Sequence, residues 1–564
     1  MNPIELPGAK KVGHLTLLRE PRAITEAEYN ALSANERLDI IRHAVGTRKY
    51  DLLLAAEDAA TLIPRIPAQE LYLFIRDRGL DDAKELIDFV NAEQFSLFLD
   101  FDCWRGDQLD SDIALPWLAA LSERDEDVLL NILEGLDFEF LTLVTQRYAT
   151  VVHGPEIYDD DDQRQEDSNR DGGYEVVYTS EDAAKFFSLF FAQLYQLDQS
   201  LFRRLLESIR GEVPSQLEEE CFRNRNNRLA DLGFPDPLEA RSVYQWIDPA
   251  TFNLQDWHKD KIYPVDEELL PPAFALTVTA PDSFLAAALT RGMSDEFCWE
   301  LTYLLNKTMS AAKVDIGNLE DISAVAQGVR NYLNLGLEFS AGGNVEAGGE
   351  ILGQVYLQTL FQLGYSLCLR LSERARALDT TAIKPWLDAP YKRFLKALLQ
   401  SPPRLNLSDG ADVQTGDRAI KSLDDLAIIN HRLDRLDMLH TLFCSALPFE
   451  LPTQIDLDDD RPMYRDELTL TDIILTALAN QVLDRPFRPA PIPVTELPRL
   501  HAKLGTDGTV STVISEAFIS YLEGLCPGAE AFARFTLGVL EDDFLAINPE
   551  DLDPRYISGI IIRP

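Results

Sequence analysis

Asp167-Ser168-Asn169-Arg170-Asp171-Gly172 opens like a calcium-binding loop, with oxygen donors at alternate positions and a glycine where such a loop turns sharply. The metal-ligand set it offers is Asp167, Asn169 and Asp171. The bidentate glutamate that should close the loop is replaced by Tyr178, although Glu175 stands at the ninth position and Asp159 to Asp162 supply further carboxylates. The pattern therefore predicts a solvated acidic loop with, at most, a weak calcium or magnesium site and no other cofactor. Asp100 and Asp102 form a second carboxylate pair. Paired carboxylates divide acid and base roles when their environments differ, but their place after an apolar run predicts the end of one helix and the cap of the next. Arg223, Arg225 and Arg228 make a basic cluster three to ten residues after Glu218, Glu219 and Glu220, which predicts an internal polar network rather than a phosphate site.

The remaining nucleophile and ligand patterns are incomplete. Ser310 and Lys313 have the Ser-x-x-Lys spacing without its companion motifs. The seven histidines show no HExxH spacing; His431 and His440 flank Asp434 and Asp437, with His431 and Asp434 on one helical face. Gly342-Gly343-Asn344-Val345-Glu346-Ala347-Gly348-Gly349 lacks the Gly-Lys-Ser/Thr ending of a phosphate loop and reads as a helix–helix turn. There is no catalytic set to assign, and no GxSxG elbow or dinucleotide fingerprint.

The elements that must position these residues are mostly helical. The chain has 564 residues, 46% of them hydrophobic, and a net charge of −42. Such a charge argues against general nucleic-acid binding, which needs a basic footprint, and against docking on anionic lipid. Six cysteines lie far apart in sequence, most with apolar neighbours, and predict reduced, buried side chains in a cytoplasmic protein. No apolar run follows Lys10-Lys11, so no secretory signal is expected. Ile351 to Leu369 is uncharged and about as long as a membrane span, yet Gln354, Gln358 and Gln362 recur every four residues; this predicts a buried amphipathic helix and no membrane insertion.

Along the chain, Pro67-Ala68-Gln69-Glu70-Leu71-Tyr72-Leu73-Phe74-Ile75 recurs as Asn91-Ala92-Glu93-Gln94-Phe95-Ser96-Leu97-Phe98-Leu99, with an echo at Asp137 to Val144. Units of this kind bury their apolar faces by stacking on neighbours. The expected fold is mainly α: a superhelical part of short helices over 1–152, an acidic hairpin or loop insertion over 153–180, a helical segment over 181–263, and helical domains over 273–400 and 419–564. Thr150-Val151-Val152 and Tyr174-Glu175-Val176-Val177-Tyr178 are expected to pair across the acidic loop. Ser180 is expected to cap a helix whose Ala183, Phe186, Phe187, Phe190, Phe191, Leu194 and Leu197 form one broad core face against the next helix, which carries Leu201, Phe202, Leu205, Leu206 and Ile209. Pro264 to Pro272 reads as a linker, 401–417 and 451–462 as surface loops, and Ile560-Ile561-Ile562 as a segment docked on the body.

Arg228-Leu229-Ala230-Asp231-Leu232-Gly233-Phe234-Pro235-Asp236, with Ala240, Val243-Tyr244 and Asp248-Pro249, resembles the signature of a bacterial family known only as a domain of unknown function. Asn306-Lys307, Tyr332-Leu333-Asn334-Leu335-Gly336-Leu337-Glu338 and Leu360-Phe361-Gln362-Leu363-Gly364 fit the same family, which carries over no activity and no catalytic residues. Separately, residues 50–150, with their Ile66-Pro67-Ala68-Gln69-Glu70 helix start, resemble the cytosolic helical superhelix of MgtE-type magnesium transporters; that likeness implies a cation-responsive regulatory part and, without a channel, no transport. The function expected is an interaction or regulatory scaffold with a protein partner and no nucleic acid. The alternative is a divalent-metal-dependent hydrolase, whose carboxylate ligands need no characteristic spacing.

Overall fold

The segments starting at Pro67, Asn91 and Asp137 fold as helices of one length, 11 residues each: Ala68–Arg78, Ala92–Asp102 and Phe138–Tyr148. Their starts differ. Asn91 and Gln94 form a reciprocal capping box, whereas the Asp137 carboxylate leaves its helix start uncapped and is used elsewhere. Gln94 also donates to the carbonyls of Ile63 and Ile66, fixing its helix on the preceding turn. At the end of helix Glu126–Gly135, a Cβ on Gly135 would stand 2.4 Å from that of Ala92, so the two helices meet closely there.

The computed structural model describes residues 4–5, 9–12, 15–18, 23–43, 47–153, 170–171, 173–259, 283–289, 295–407, 416–451, 468–506 and 508–563. Helices make up 69% of the structure, and no sheet among the described residues exceeds three strands. The protein is mainly α. It divides into two compact units, 1–364 and 365–564.

In the first unit, strand Ala149–His153 pairs antiparallel with Tyr174–Tyr178, as the β-branched runs predict. Arg170–Asp171 adds a third strand on Tyr174–Glu175. The two-residue strands and the hairpin of Ala9–Val12 with Leu15–Leu18 near the N-terminus were not foreseen. Ser180 accepts from the Ala183 amide and caps helix Glu181–Leu197. Phe187, Phe190 and Phe191 are buried, and Phe191 meets Phe202 of helix Gln199–Gly211 edge-on at 6.2 Å, whereas Phe186, Leu197 and Leu201, at the margin of the expected face, are only half-buried. Each buried ring contributes roughly 1.5–3 kcal/mol over exposure.

The glutamine-bearing stretch departs from expectation. It is not one helix but two, Val345–Gln354 and Leu357–Asp379, broken at Val355-Tyr356. The break is held by buried Glu300, which accepts from the Leu357 amide at 2.5 Å and from Lys259 Nζ at 2.7 Å. The glutamines turn to neighbouring elements: Gln358 accepts from Lys307, and Gln362 donates to the Ser242 carbonyl. No helix among the described residues is long and apolar enough to cross a membrane. Of the glycine-rich 342–349 stretch, Gly342 and Gly343 make the expected helix–helix turn, Asn344 caps helix Val345–Gln354, and Gly348 and Gly349 lie within that helix.

In the second unit, Gly559–Ile562 docks as expected. The Gly559 amide donates to Asp472, the Ile561 amide to Thr476 Oγ1, and Ile562 pairs in parallel with Ile492. The 401–417 segment, expected as a surface loop, instead contributes strand Arg404–Leu405, which pairs with Arg418–Ala419 and buries Leu405. Pro264 to Pro272, residues 408–415 and residues 452–467 lie outside the described residues.

Candidate functional site

Helix Ala92–Asp102 ends on three consecutive buried residues, Asp100, Phe101 and Asp102 beside Cys103. On a helix, successive side chains point about 100° apart, so the two carboxylates two positions apart serve different neighbours. Neither caps the following helix, contrary to the reading from sequence. Asp100 receives Arg228 in a two-pronged bond, Nε to Oδ2 at 2.7 Å and Nη2 to Oδ1 at 2.9 Å. The same guanidinium donates through Nη1 to Asp137 at 2.7 Å. Arg225, one turn back on helix Pro214–Asp231, donates to the Asp100 carbonyl at 2.9 Å and lies over the Trp104 ring.

The basic cluster is thus an internal network, as its composition predicts, but its principal partners differ. Only Arg223 pairs with the neighbouring acid run, through Glu220. Glu218 instead accepts from the Leu109 amide and faces Arg147. Sequence neighbours on one helix lose to acids more than ninety residues away because Arg228 points off its own helix into the packed interior.

Asp102 serves a second set of groups. Tyr72 Oη donates to one oxygen at 3.1 Å, Trp117 Nε1 to the other at 2.8 Å, and Arg76 stands 3.2 Å away. Tyr72, Phe98, Phe101 and Trp117 form an aromatic shell around it. Burial, reinforced by Asp102, holds the Tyr72 phenol well above its ordinary range. Burial likewise pushes up the Asp100 carboxyl, against the pull of Arg228. It depresses the Arg228 guanidinium, which Asp100 and Asp137 more than reverse. Cys103 is pushed well up by burial and then by Asp102 and Asp100, so its thiol stays protonated and unreactive.

The Arg228–Asp236 motif continues from this clamp. Phe234 packs on Phe101 at 6.2 Å, and the Leu232 carbonyl accepts from Asn306 at 2.7 Å. Gly233 sits at φ +87° against Tyr303, where a Cβ would come within 2.4 Å of the ring; the turn admits only glycine. Asn306, on helix Asp295–Ala312, exchanges two amide bonds with Gln69, at 3.0 and 3.1 Å. Tyr72, Arg76, Trp117 and Gln69 were not singled out from sequence. The sequence signal for Asn306 is weak, a polar residue directly after the apolar Tyr303-Leu304-Leu305, and Gln69, beside Glu70 at its helix start, carries none. What the arrangement can do is hold three segments together: each buried carboxylate is filled by donors from the chain.

The other candidates are dispersed. Ser310 lies near the end of its helix, while Lys313 follows it at φ +55° and is exposed, so the pair does not share a helical turn in register for chemistry. Asp434 and Asp437, on helix Leu423–Thr441, both bind Arg374, and His431 is exposed. Five cysteines are buried and Cys444 is exposed, a departure from the all-buried expectation; all six are free. Asp167 and Asn169 lie outside the described residues, and Asp171 is placed only as backbone in a strand. Among the described residues, no group of three or more His, Cys, Asp or Glu side chains has the arrangement of a metal site.

A mainly α chain organised around an internal clamp and an LGFPD turn is the class these observations define. The chain belongs to a family of unknown function, DUF6178, whose model matches residues 26–563. No curated protein matches it. No solved structure matches it. The likeness of residues 50–150 to magnesium-transporter domains is not shown by these comparisons.

Proposed function

We propose that this protein is an interaction scaffold of cytoplasmic type that binds a protein partner. The observation that supports it is the use made of the motif: Arg228, Gly233, Phe234 and Asn306 join helices to one another rather than presenting a reactive group. Packed short helices offer broad surfaces to partners. Leu238 and Trp246, just beyond the motif, are 73% and 43% exposed, apolar side chains of the kind that anchor interfaces. The reading includes a cation response through the acidic loop of Asp167, Asn169 and Asp171.

Affinity purification with cross-linking from the native cell, joined to mass spectrometry and metal analysis, tests the proposal. A stoichiometric protein partner that cross-links near Trp246, and is lost in the Leu238→Ser, Trp246→Ala double variant, supports it. A partnerless protein carrying tightly bound metal overturns it in favour of a metal-dependent hydrolase. The cation response predicts that millimolar calcium or magnesium raises Tm, and that Asp167→Ala with Asp171→Ala removes the rise; an unchanged melt removes this part of the reading.

A further inference from the structure

Within the second unit, residues of helices Leu357–Asp379 and Leu423–Thr441 line a half-open cavity of about 480 Å³. That volume is within the range of small-molecule sites. Its wall is apolar where Leu367, Leu371 and Leu426 line it, and Leu371 and Leu426 are buried. Two arginines one helical turn apart, Arg370 and Arg374, share the face that lines it.

The two arginines differ in what holds them. Arg374 is fully engaged: Nη1 donates to Asn430 at 2.9 Å, and Nη2 to Asp434 at 2.8 Å and Asp437 at 2.7 Å. These contacts also turn Asp434, the acid on the cavity rim, onto a cation. Arg370 makes no hydrogen bond or ion pair among the described residues. The result is an unneutralised guanidinium at the edge of an apolar cavity whose other charges are already matched.

We propose that this cavity binds a small amphipathic carboxylate. Its hydrocarbon body lies against Leu367, Leu371 and Leu426, and its carboxylate pairs with Arg370, whose planar fork of donors suits two carboxylate oxygens. The net charge of −42 works against accumulation of anions at the surface. A fully hydrophilic anion therefore gains too little from one exposed arginine, and the apolar wall has to supply the rest of the affinity. Both parts of the ligand are required. This site is independent of the scaffold reading, since it lies in the unit that does not carry the motif.

Isothermal titration of the full chain with octanoate, acetate and octan-1-ol tests it, using Arg370→Gln and Leu367→Trp as variants. Arg370 is exposed and outside any ion pair among the described residues, so its substitution should leave Tm unchanged. Octanoate should bind at least about tenfold more tightly than either acetate or octan-1-ol. Arg370→Gln should erase its advantage over the alcohol, and Leu367→Trp, which fills the cavity, should abolish binding with Tm retained. Absence of octanoate binding up to about 10 mM overturns the site. So does equal binding by octan-1-ol, which makes the arginine irrelevant, equal binding by acetate, which makes the apolar wall irrelevant, or wild-type affinity in Arg370→Gln.

Discussion

Gly336 and Gly364 face each other where helices Leu319–Ser340 and Leu357–Asp379 cross, at a separation that leaves no room for a side chain on either. A Cβ on Gly336 would stand 1.9 Å from the Leu360 carbonyl oxygen, and one on Gly364 1.9 Å from that of Tyr332. The obstacle in each case is backbone, which cannot rotate aside. Gly336→Ala and Gly364→Ala should each destabilise by about 3 kcal/mol, the upper end for overpacking. The double variant should cost less than the sum, because the first substitution already forces the helices apart. Urea unfolding of the three variants measures this.

Arg228 answers two acids, one of them 2% exposed. Arg228→Met should destabilise by about 3–5 kcal/mol, since Asp100 loses its bidentate partner and must remain buried either as an unpaired charge or with a proton taken up. Adding Asp100→Leu should recover a large part of that loss, whereas Asp137→Ala, at a half-buried position, should not. Chemical denaturation of the set separates an unpaired buried charge from simple loss of packing.

Glu300 caps the break before Leu357 and pairs with Lys259. Glu300→Ala should cost about 3–5 kcal/mol, because the Leu357 amide loses its side-chain acceptor and the Lys259 ammonium keeps only the Leu352 carbonyl, at 3.3 Å, in place of its counter-charge. Glu300→Gln keeps an acceptor for the Leu357 amide and should cost less. Amide hydrogen exchange at Leu357 should quicken in the alanine variant and stay slower in the glutamine one.

Asp425 gives a pH dependence of definite sign. Burial by itself raises its carboxyl, but Arg418 and the Lys421 and Ser422 amides outweigh burial and hold it below the ordinary 3.8. A carboxylate with a lowered folded pKa stabilises fully above its unfolded value, and that contribution is lost as pH falls through the folded value. Asp425→Asn should therefore be less stable than the wild type at about pH 6, and the difference in Tm should shrink as the solution is taken below about pH 4. A difference that stays constant across that range would contradict the assignment.

Local patterns were readable because local physics decides them. Ser180 followed by an acidic first turn gives a cap, and the aromatic spacing from Ala183 to Leu194 gives a buried face. The β-branched runs at Thr150 and Tyr174 find each other across the acidic segment. The clamp was only half readable. The sequence shows that Arg225 and Arg228 need acids, and Glu218 to Glu220 are the nearest; it cannot show that Asp100, 128 residues away, presents a carboxylate with no water to compete. The break at Val355 was hidden for the same reason, since the group that holds it, Glu300, lies 57 residues before Leu357 on another helix.

The exchange of amide bonds between Gln69 and Asn306 spans 237 residues. A ribosome adds about 5–20 residues per second, so on the order of 10–50 s pass between the emergence of the two partners. Through that interval Gln69, almost fully buried in the finished protein, has only water or a passing chaperone to bond. The first helices of this chain must therefore wait, half-finished, for a residue not yet made.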